Sequence, residues 1–264
     1  MALVLLLGCC AANVLARADG LTIGGTGTAL GTMQLLGKAF SASHPEIPVT
    51  IVPSLGSRGG IKAVLDGSIG LAVTSRALDE RERAQGALEI EYARTPFVFA
   101  VSAESRVTAI TTAELASIYA GTMVTWADGS PIRIVLRPVS DIDTDIVKNI
   151  SPDMHRGVLA AQARPGVRVA VNDQDAAADI EKISGAIGPT TLALIVSEKR
   201  PLRALILDGR EPTPMIAASG NYPLSKRLFL VTGAKRSAAT ERFIRFVQSP
   251  AGRKIVANSG QWVP

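Results

Sequence analysis

The sequence predicts an α/β fold in which short apolar strands alternate with helices. Of the 264 residues, 47% are hydrophobic and only 4% are aromatic, so aliphatic side chains carry the core. A chain of this length forms either one large domain or two lobes of roughly 100 residues each. Apolar strands are repeatedly followed by a Gly- or Ser-rich loop and then by a helix. This recurrence indicates a parallel sheet covered by helices.

The first half of the chain carries four predicted strands, at residues 21–24, 49–52, 70–73 and 96–101. Apolar residues at helical spacing predict a helix through Leu30, Met33, Leu36 and Phe40, and a short helix follows at 61–65. A capping box at residues 111–114 opens a third helix. The long apolar strand 96–101 is expected to pass between lobes.

The second half repeats the same order. A strand at 132–136 leads to Arg137 and then to a helix from Thr144 toward Ile150. A late strand at 227–231 returns the chain, an amphipathic helix covers 238–248, and a last helix closes on Gly260.

Residues 1–18 are predicted to be a signal peptide. The segment 1–15 is predominantly apolar but too short to span a bilayer, and Ala16-Arg17-Ala18 has the small-x-small pattern of a cleavage site. We expect cleavage after Ala18 and a periplasmic or secreted protein. The alternative is a lipobox at 6–9, which would leave a lipid anchor on Cys9, although eight residues before a lipidated cysteine is short.

Charge and cysteine content exclude several function classes. The formal charge is only +5, spread along the chain without a Lys/Arg block, so we expect no nucleic-acid partner. Both cysteines lie in the predicted leader. Cleavage after Ala18 would therefore exclude thiol catalysis, iron–sulfur clusters and Cys-ligated zinc.

Catalytic motifs are missing from the sequence. It contains no Gly-x-Ser-x-Gly elbow, no His-Glu-x-x-His, and no Walker or dinucleotide glycine fingerprint. Neither His44 nor His155 stands in a pattern typical of a base or ligand. We therefore expect a protein that is not an enzyme and that holds no cofactor and no resident metal.

Three loops between strands and helices point instead to an oxyanion. They are residues 25–28 (Gly-Thr-Gly-Thr), 56–60 (Gly-Ser-Arg-Gly-Gly) and 140–144 (Ser-Asp-Ile-Asp-Thr). In an open α/β sheet, ligands bind at the carboxyl ends of the strands, where helix N-termini attract anions. Each loop alone is equally explained by helix capping. The three loops together, with Arg137 at a strand end, favour an anion site.

At these residues the chain resembles the phosphate-binding proteins of bacterial ABC importers, within the type II periplasmic-binding superfamily. The similarity runs, in order, through residues 25–30, 56–62, 73–78, 185–188 and 243–252. It implies a two-lobed α/β fold with a ligand cleft between the lobes. Lobe 1 would comprise residues 19–97 plus 222–264, and lobe 2 residues 98–221. It also implies a monomer that delivers inorganic phosphate or a similar oxyanion to an ABC transporter permease.

The resemblance assigns ligand-binding roles by position. Thr26, Gly27 and Thr28 would form the first anion loop, and Ser57, with Arg58 beside it, the second. Arg137 matches the ion-pairing arginine of the family, and Ser140 and Thr144 its following hydroxyls; these assignments come from the resemblance alone. Ser75 stands where other members place an aspartate that accepts a proton from phosphate. The Gly-Ser-Gly that usually follows the arginine is also absent.

Two acidic residues in the third loop suggest a replacement for that aspartate. Hydrogen phosphate can donate a proton to a carboxylate, whereas sulfate has none to give, so a buried acceptor selects phosphate. We expect Asp143 to cap the following helix and Asp141 to contact the ligand. Alternatively, both residues cap the helix and face water. The remaining alternatives are a binding protein for molybdate, sulfate or an organic phosphate, and a metal-dependent hydrolase built around Asp141 and Asp143.

Overall fold

The computed structural model describes residues 20–264. The predicted signal peptide, its cleavage site and Cys9 lie outside these residues. Within them, the strands are β1 (Leu21–Gly25), β2 (Val49–Ile51), β3 (Leu71–Thr74), β4 (Leu88–Ser102), β5 (Ala109–Ile110), β6 (Arg133–Leu136), β7 (Arg168–Val169), β8 (Ala186–Thr191), β9 (Leu202–Ala204), β10 (Ile206–Leu207) and β11 (Ser225–Thr232).

The helices confirm the predicted pattern and extend it. They are α1 (Gly27–Ser43), α2 (Gly56–Leu65), α3 (Glu80–Ala84), α4 (Thr112–Ala120), α5 (Ile142–Lys148), α6 (Pro152–Ala163), α7 (Asp173–Lys182), α8 (Leu192–Ser197), α9 (Pro214–Ala218), α10 (Ala238–Gln248) and α11 (Pro250–Asn258).

Two helices start earlier than predicted. The stretch 56–60, expected as a loop, forms the first turns of α2, and α5 begins at Ile142 instead of Thr144. In α2 the glycines serve packing, because a Cβ on Gly60 would lie 2.8 Å from the Cα of Gly25 in β1. The helix N-terminus therefore lies directly at the end of the strand.

The main sheet is mixed, not purely parallel as predicted. Its strand order is β2-β1-β3-β11-β4-β8-β6-β7, with β9 paired to β4. Strands β1, β2 and β3 pair in parallel, as do β6, β7 and β8, but β11 is antiparallel to both β3 and β4, and β4 is antiparallel to β8. The return strand β11 and the crossing strand β4 account for the difference.

Strand β4 joins two lobes. Its first half pairs with β11 and its second half with β8. The first lobe contains β1–β3, β11, α1, α2, α10 and α11, with apolar clusters drawn from residues 21–93 and 228–256. The second contains β6–β8 and α4–α7, with one cluster drawn from residues 97–222. The two-lobed α/β fold is confirmed, and the lobe limits proposed from the sequence stay a prediction.

Strand directions explain where a ligand site can form. Because β11 is antiparallel to both neighbours, β1 and β3 run in the same sense as β4, toward the second lobe. Strands β6 and β8 run against β4, toward the first lobe. The carboxyl ends of both sets therefore face each other across one cleft, which is the usual ligand position in open α/β sheets.

Within residues 20–264, the helices lack the combination of length and apolar character that a membrane span requires.

Candidate functional site

A cavity of about 290 Å³ lies where the carboxyl ends of the strands from the two lobes meet. The first lobe contributes Thr26, Ser54, Leu55, Gly56, Ser57, Arg58, Ser75 and Lys226 to its walls. The second lobe contributes Arg137, Pro138, Ser140, Asp141, Ile142, Asp143, Val171, Asn172 and Asp173.

Helix N-termini from the first lobe open onto this cavity. The N-cap of α1 is Thr26, whose side chain makes no capping hydrogen bond within the described chain, and the N-cap of α2 is the apolar Leu55. Neither first turn contains an acidic residue. Backbone N–H groups at such ends lack helical partners and carry the positive end of the helix dipole. They are available to an anion.

Two buried serines lie beside these N-termini. Ser75 donates its backbone N–H to Ser57 Oγ (3.0 Å), and the two hydroxyl oxygens are 3.3 Å apart. A bond between the two hydroxyls uses only one of their two hydrogens. One hydroxyl hydrogen therefore remains for a ligand.

Arg137 faces the serines from the second lobe. Its side chain is 3% exposed; Nη1 donates to the backbone oxygen of Ala170 (2.9 Å) and Nη2 to Asp141 Oδ2 (2.7 Å). Nε is buried and has no hydrogen-bond partner among residues 20–264. An unsatisfied buried donor costs about 1–3 kcal/mol. The Arg137 side chain also lines the cavity, so its guanidinium is the candidate ion-pair partner for an anion there.

The cap of α5 is Asp141, and not Asp143 as the sequence predicted. Asp141 is the N-cap of α5, because its Oδ1 accepts the backbone N–H of Asp143 (2.9 Å), while its Oδ2 accepts from Arg137. Asp143 is not a cap: its side chain is buried and forms an ion pair with Lys226. The capping prediction was wrong, since it placed the helix start two residues late. Asp141 lines the cavity, and its contact with the ligand stays a prediction.

Lys226 forms a buried charge centre between the lobes. Its side chain is 1% exposed, Nζ lies 5.4 Å from the centre of the Phe97 ring, and it donates to Thr28 Oγ1 (3.3 Å). Burial, with Asp173 and Asp141 nearby, raises the pKa of Asp143 to about 6, against the attraction of Lys226. Burial lowers the pKa of Lys226, but Asp143 and Asp173 outweigh it and leave that pKa above its ordinary value. The lysine is therefore a cation at neutral pH.

Comparison with known proteins assigns the chain to a family. A family model described as a PBP superfamily domain matches residues 11–251. The chain belongs to the periplasmic-binding-protein (PBP) superfamily. The phosphate-binding protein PstS of Borreliella burgdorferi is 28% identical over 218 residues, which cover 78% of this chain and 76% of that protein.

Solved structures agree on the PBP fold. A structure assigned to a phosphate ABC transporter substrate-binding protein from Clostridium perfringens, with bound phosphate, aligns with a TM-score of 0.77 at 20% identity, covering 93% of this chain and 99% of that one. The periplasmic molybdate-binding protein of Azotobacter vinelandii aligns with a TM-score of 0.64 at 17% identity, covering 92% and 99%. At these identities the likeness shows the fold, and the predicted resemblance to PBP-type binding proteins is confirmed.

Seven predicted site residues come together at the PBP cleft: Thr26, Ser57, Arg58, Ser75, Arg137, Ser140 and Asp141. Three others do not line this cavity. Gly27 packs against α7, where a Cβ would lie 2.7 Å from Asp173 Oδ2. Thr28 donates its hydroxyl to Asp173 Oδ1 (3.0 Å), and Thr144 donates to the backbone oxygen of Pro138 (2.9 Å).

The sequence reasoning missed Asn172, Asp173 and Lys226. The first two open α7, where Asn172 Oδ1 accepts the backbone N–H of Asp175 (2.9 Å). Lys226 alternates with Leu228 and Leu230 on the buried face of β11. Residues 20–264 contain no group of three or more His, Cys, Asp or Glu side chains that could hold a metal ion.

Proposed function

We propose that this chain is a substrate-binding protein that captures an inorganic oxyanion, with phosphate as the favoured ligand, for an ABC importer. The observation that carries the proposal is that the two lobes contribute different kinds of hydrogen-bond donor to one cavity. Helix N-termini without an acidic first turn and two buried serines line the same cavity as a buried arginine. Neutral donors and a guanidinium together match the acceptor oxygens of a tetrahedral anion.

The relatives support phosphate as the ligand. The matched protein from B. burgdorferi is named as a phosphate-binding protein, and the C. perfringens structure holds phosphate. The proposed contacts are the cavity-lining members of the predicted set, with Arg137 as the main charge and Ser57 and Ser75 as hydroxyl donors. Arg58 and Ser140 are exposed at the rim and would make weaker contacts.

Export and delivery belong to the same proposal. The protein would be exported to the periplasm by a signal peptide cleaved after Ala18, act as a monomer, and present its anion to an ABC permease. Mass spectrometry of the exported protein tests the first step, with a mature chain expected to begin at Asp19. A diacylglyceryl group on Cys9 would instead identify a lipid-anchored protein.

Thermal unfolding against a panel of anions tests the ligand. Because a ligand that binds only the folded state raises the melting temperature, we expect phosphate to stabilise the protein at fixed ionic strength, and chloride to serve as the blank. Sulfate, molybdate and a phosphate monoester are the competing candidates. Stabilisation by molybdate and not by phosphate would reassign the ligand. Stabilisation by none of the anions would overturn the oxyanion proposal.

A further inference from the structure

We propose that Asp173 selects the ligand by accepting the proton of a bound hydrogen phosphate, so that oxyanions without a proton are rejected. The inference rests on the proposed function and names a specificity-determining residue for it. The ligand class is a protonated tetrahedral dianion. Sulfate and molybdate, which are unprotonated at neutral pH, fall outside it.

The direction of the hydrogen bonds around Thr28 is fixed by Lys226. An ammonium group can only donate, so the bond between Lys226 Nζ and Thr28 Oγ1 makes the hydroxyl oxygen an acceptor. The single hydroxyl hydrogen of Thr28 then points to Asp173 Oδ1. Thr28 therefore has no hydrogen left for the anion. Of Thr28 and Asp173, it is Asp173 that lines the cavity, so its carboxylate is within reach of a ligand.

The position of Asp173 suits contact with a ligand held by Arg137. Asp173 is 8% exposed and lines the cavity, and its Oδ2 lies 3.8 Å from Arg137 Nη2, beyond hydrogen-bond distance. Gly27 permits this placement, because a Cβ there would lie 2.7 Å from the same oxygen. An anion bonded to the guanidinium is therefore brought close to a carboxylate oxygen.

The other acidic residues of the cavity, and Ser75, are less suited to this role. Both oxygens of Asp141 are already hydrogen-bonded, one to a backbone N–H and one to Arg137. Asp143 is buried against Lys226. The hydroxyl of Ser75 can donate as well as accept, so it does not distinguish a protonated from an unprotonated oxygen.

Selection depends on whether the contact between the Asp173 carboxylate and the nearest ligand oxygen is repulsive or attractive. A carboxylate facing an unprotonated anion oxygen gives two acceptors and like charges, which costs affinity. A protonated oxygen makes an O–H···O⁻ bond at the same place, and such charge-assisted bonds are about twice as strong as neutral ones. Removing the charge should therefore change the affinity ratio by roughly tenfold or more.

The test is Asp173→Asn, measured by competition between phosphate and sulfate at one pH and one salt concentration. Asparagine keeps an oxygen for Thr28 and can donate to an unprotonated anion oxygen. We expect sulfate to bind more tightly, phosphate slightly more weakly, and the phosphate-to-sulfate ratio to fall at least about tenfold. Asp175→Asn is the matched control, since it changes the same charge on an exposed residue of the same helix outside the cavity. Its ratio should match the wild type.

A second measurement uses the wild type alone, in case the variant does not fold. Hydrogen arsenate and selenate have similar size and equal charge but differ by a proton, so the wild type should bind arsenate and reject selenate. Equal affinity for the two, or an unchanged ratio in folded Asp173→Asn, would overturn the role of Asp173 and leave the proposed function standing. Failure of the wild type to bind any oxyanion would overturn the proposed function itself.

Discussion

The helix N-termini at the cavity differ between the lobes in whether a side chain of the described residues caps them. In the first lobe, α1 and α2 have neither a side-chain cap nor an acidic residue in the first turn, within the chain that the structure describes. In the second lobe, Asp141 caps α5 and Asn172 caps α7, and both first turns carry two aspartates. Helix α2, whose residues 56–58 line the cavity, is open to an external anion, whereas the first turn of α1 already contacts Asp173 of the second lobe. Helices α5 and α7 already have acidic residues of the chain at their positive ends.

Under the proposed function, this difference assigns selectivity to the acidic residues of the second lobe, while both lobes contribute to affinity. The first lobe offers neutral donors, namely backbone N–H groups and the hydroxyls of Ser57 and Ser75, which fit any tetrahedral oxyanion. The second lobe offers charges, a guanidinium flanked by Asp141 and Asp173. A carboxylate, which can only accept, distinguishes a protonated from an unprotonated ligand oxygen, whereas a hydroxyl can turn to suit either. Substitutions in the two lobes should therefore have different effects.

The largest expected effect is on stability, at the ion pair between the lobes. Lys226→Met leaves Asp143 buried without its cation, and breaking a buried pair in this way costs about 3–5 kcal/mol of unfolding free energy. Denaturant unfolding measures the loss. The double variant Lys226→Met/Asp143→Leu removes both charges and should recover most of it. A single variant as stable as the wild type would show that Lys226 does not hold the lobes together.

Arg137→Ala should have the largest effect on binding. Loss of two or more charge-assisted hydrogen bonds to the anion, each worth about 1.5–3 kcal/mol, predicts a decrease in affinity of roughly a hundredfold or more. Arg58→Ala is the control, because this exposed arginine should change the affinity about threefold or less. Calorimetric titration of both folded variants measures the difference. Similar affinities would place the ligand away from Arg137.

The pH dependence of stability tests the environment of Asp143. Its pKa is raised from 3.8 to about 6, chiefly by burial, so the folded state holds this proton to higher pH than the unfolded chain does. The contribution to stability is therefore complete below about pH 4 and is lost as the pH rises to about 6. The stability of the wild type relative to Asp143→Asn should fall across this window and level off above it. A relative stability that rises between pH 4 and 6 would mean that Lys226 outweighs burial.

Much of the fold could be predicted from apolar periodicity. The amphipathic helix α10 lies at the predicted residues, and α1 buries the predicted residues Leu30, Met33, Leu36 and Phe40. Helix α7 was missed because two of its four buried residues are alanine and one is aspartate, which gives a weak apolar signal. The cap at Asn172, followed by Asp173 and Asp175, was the available sign of a helix start.

The contacts that define the site depend on distant parts of the chain. Thr28 and Asp173 are 145 positions apart, and Thr28 and Lys226 are 198 apart. Sequence reasoning therefore predicted Thr28 as a donor to the ligand, although its hydroxyl is committed to Asp173. For Lys226 there was a local signal, because its alternation with Leu228 and Leu230 predicts the buried face of the strand.

A smaller effect than that of Arg137→Ala is expected from the hydroxyl groups of the first lobe. Ser57→Ala removes one hydroxyl from the cavity, so we expect binding to weaken by about 1 kcal/mol, or roughly fivefold. The loss should be equal for phosphate and sulfate, because a hydroxyl can turn to suit either anion. Melting curves of the variant without ligand serve as the control for folding.

The most direct test of the division between the lobes compares the phosphate-to-sulfate affinity ratio of Ser57→Ala with that of Asp173→Asn, at one pH and fixed salt. We predict that Ser57→Ala weakens both anions and leaves the wild-type ratio unchanged, whereas Asp173→Asn lowers the ratio at least about tenfold. A ratio that changes in Ser57→Ala and stays constant in Asp173→Asn would place selectivity in the first lobe and contradict this account.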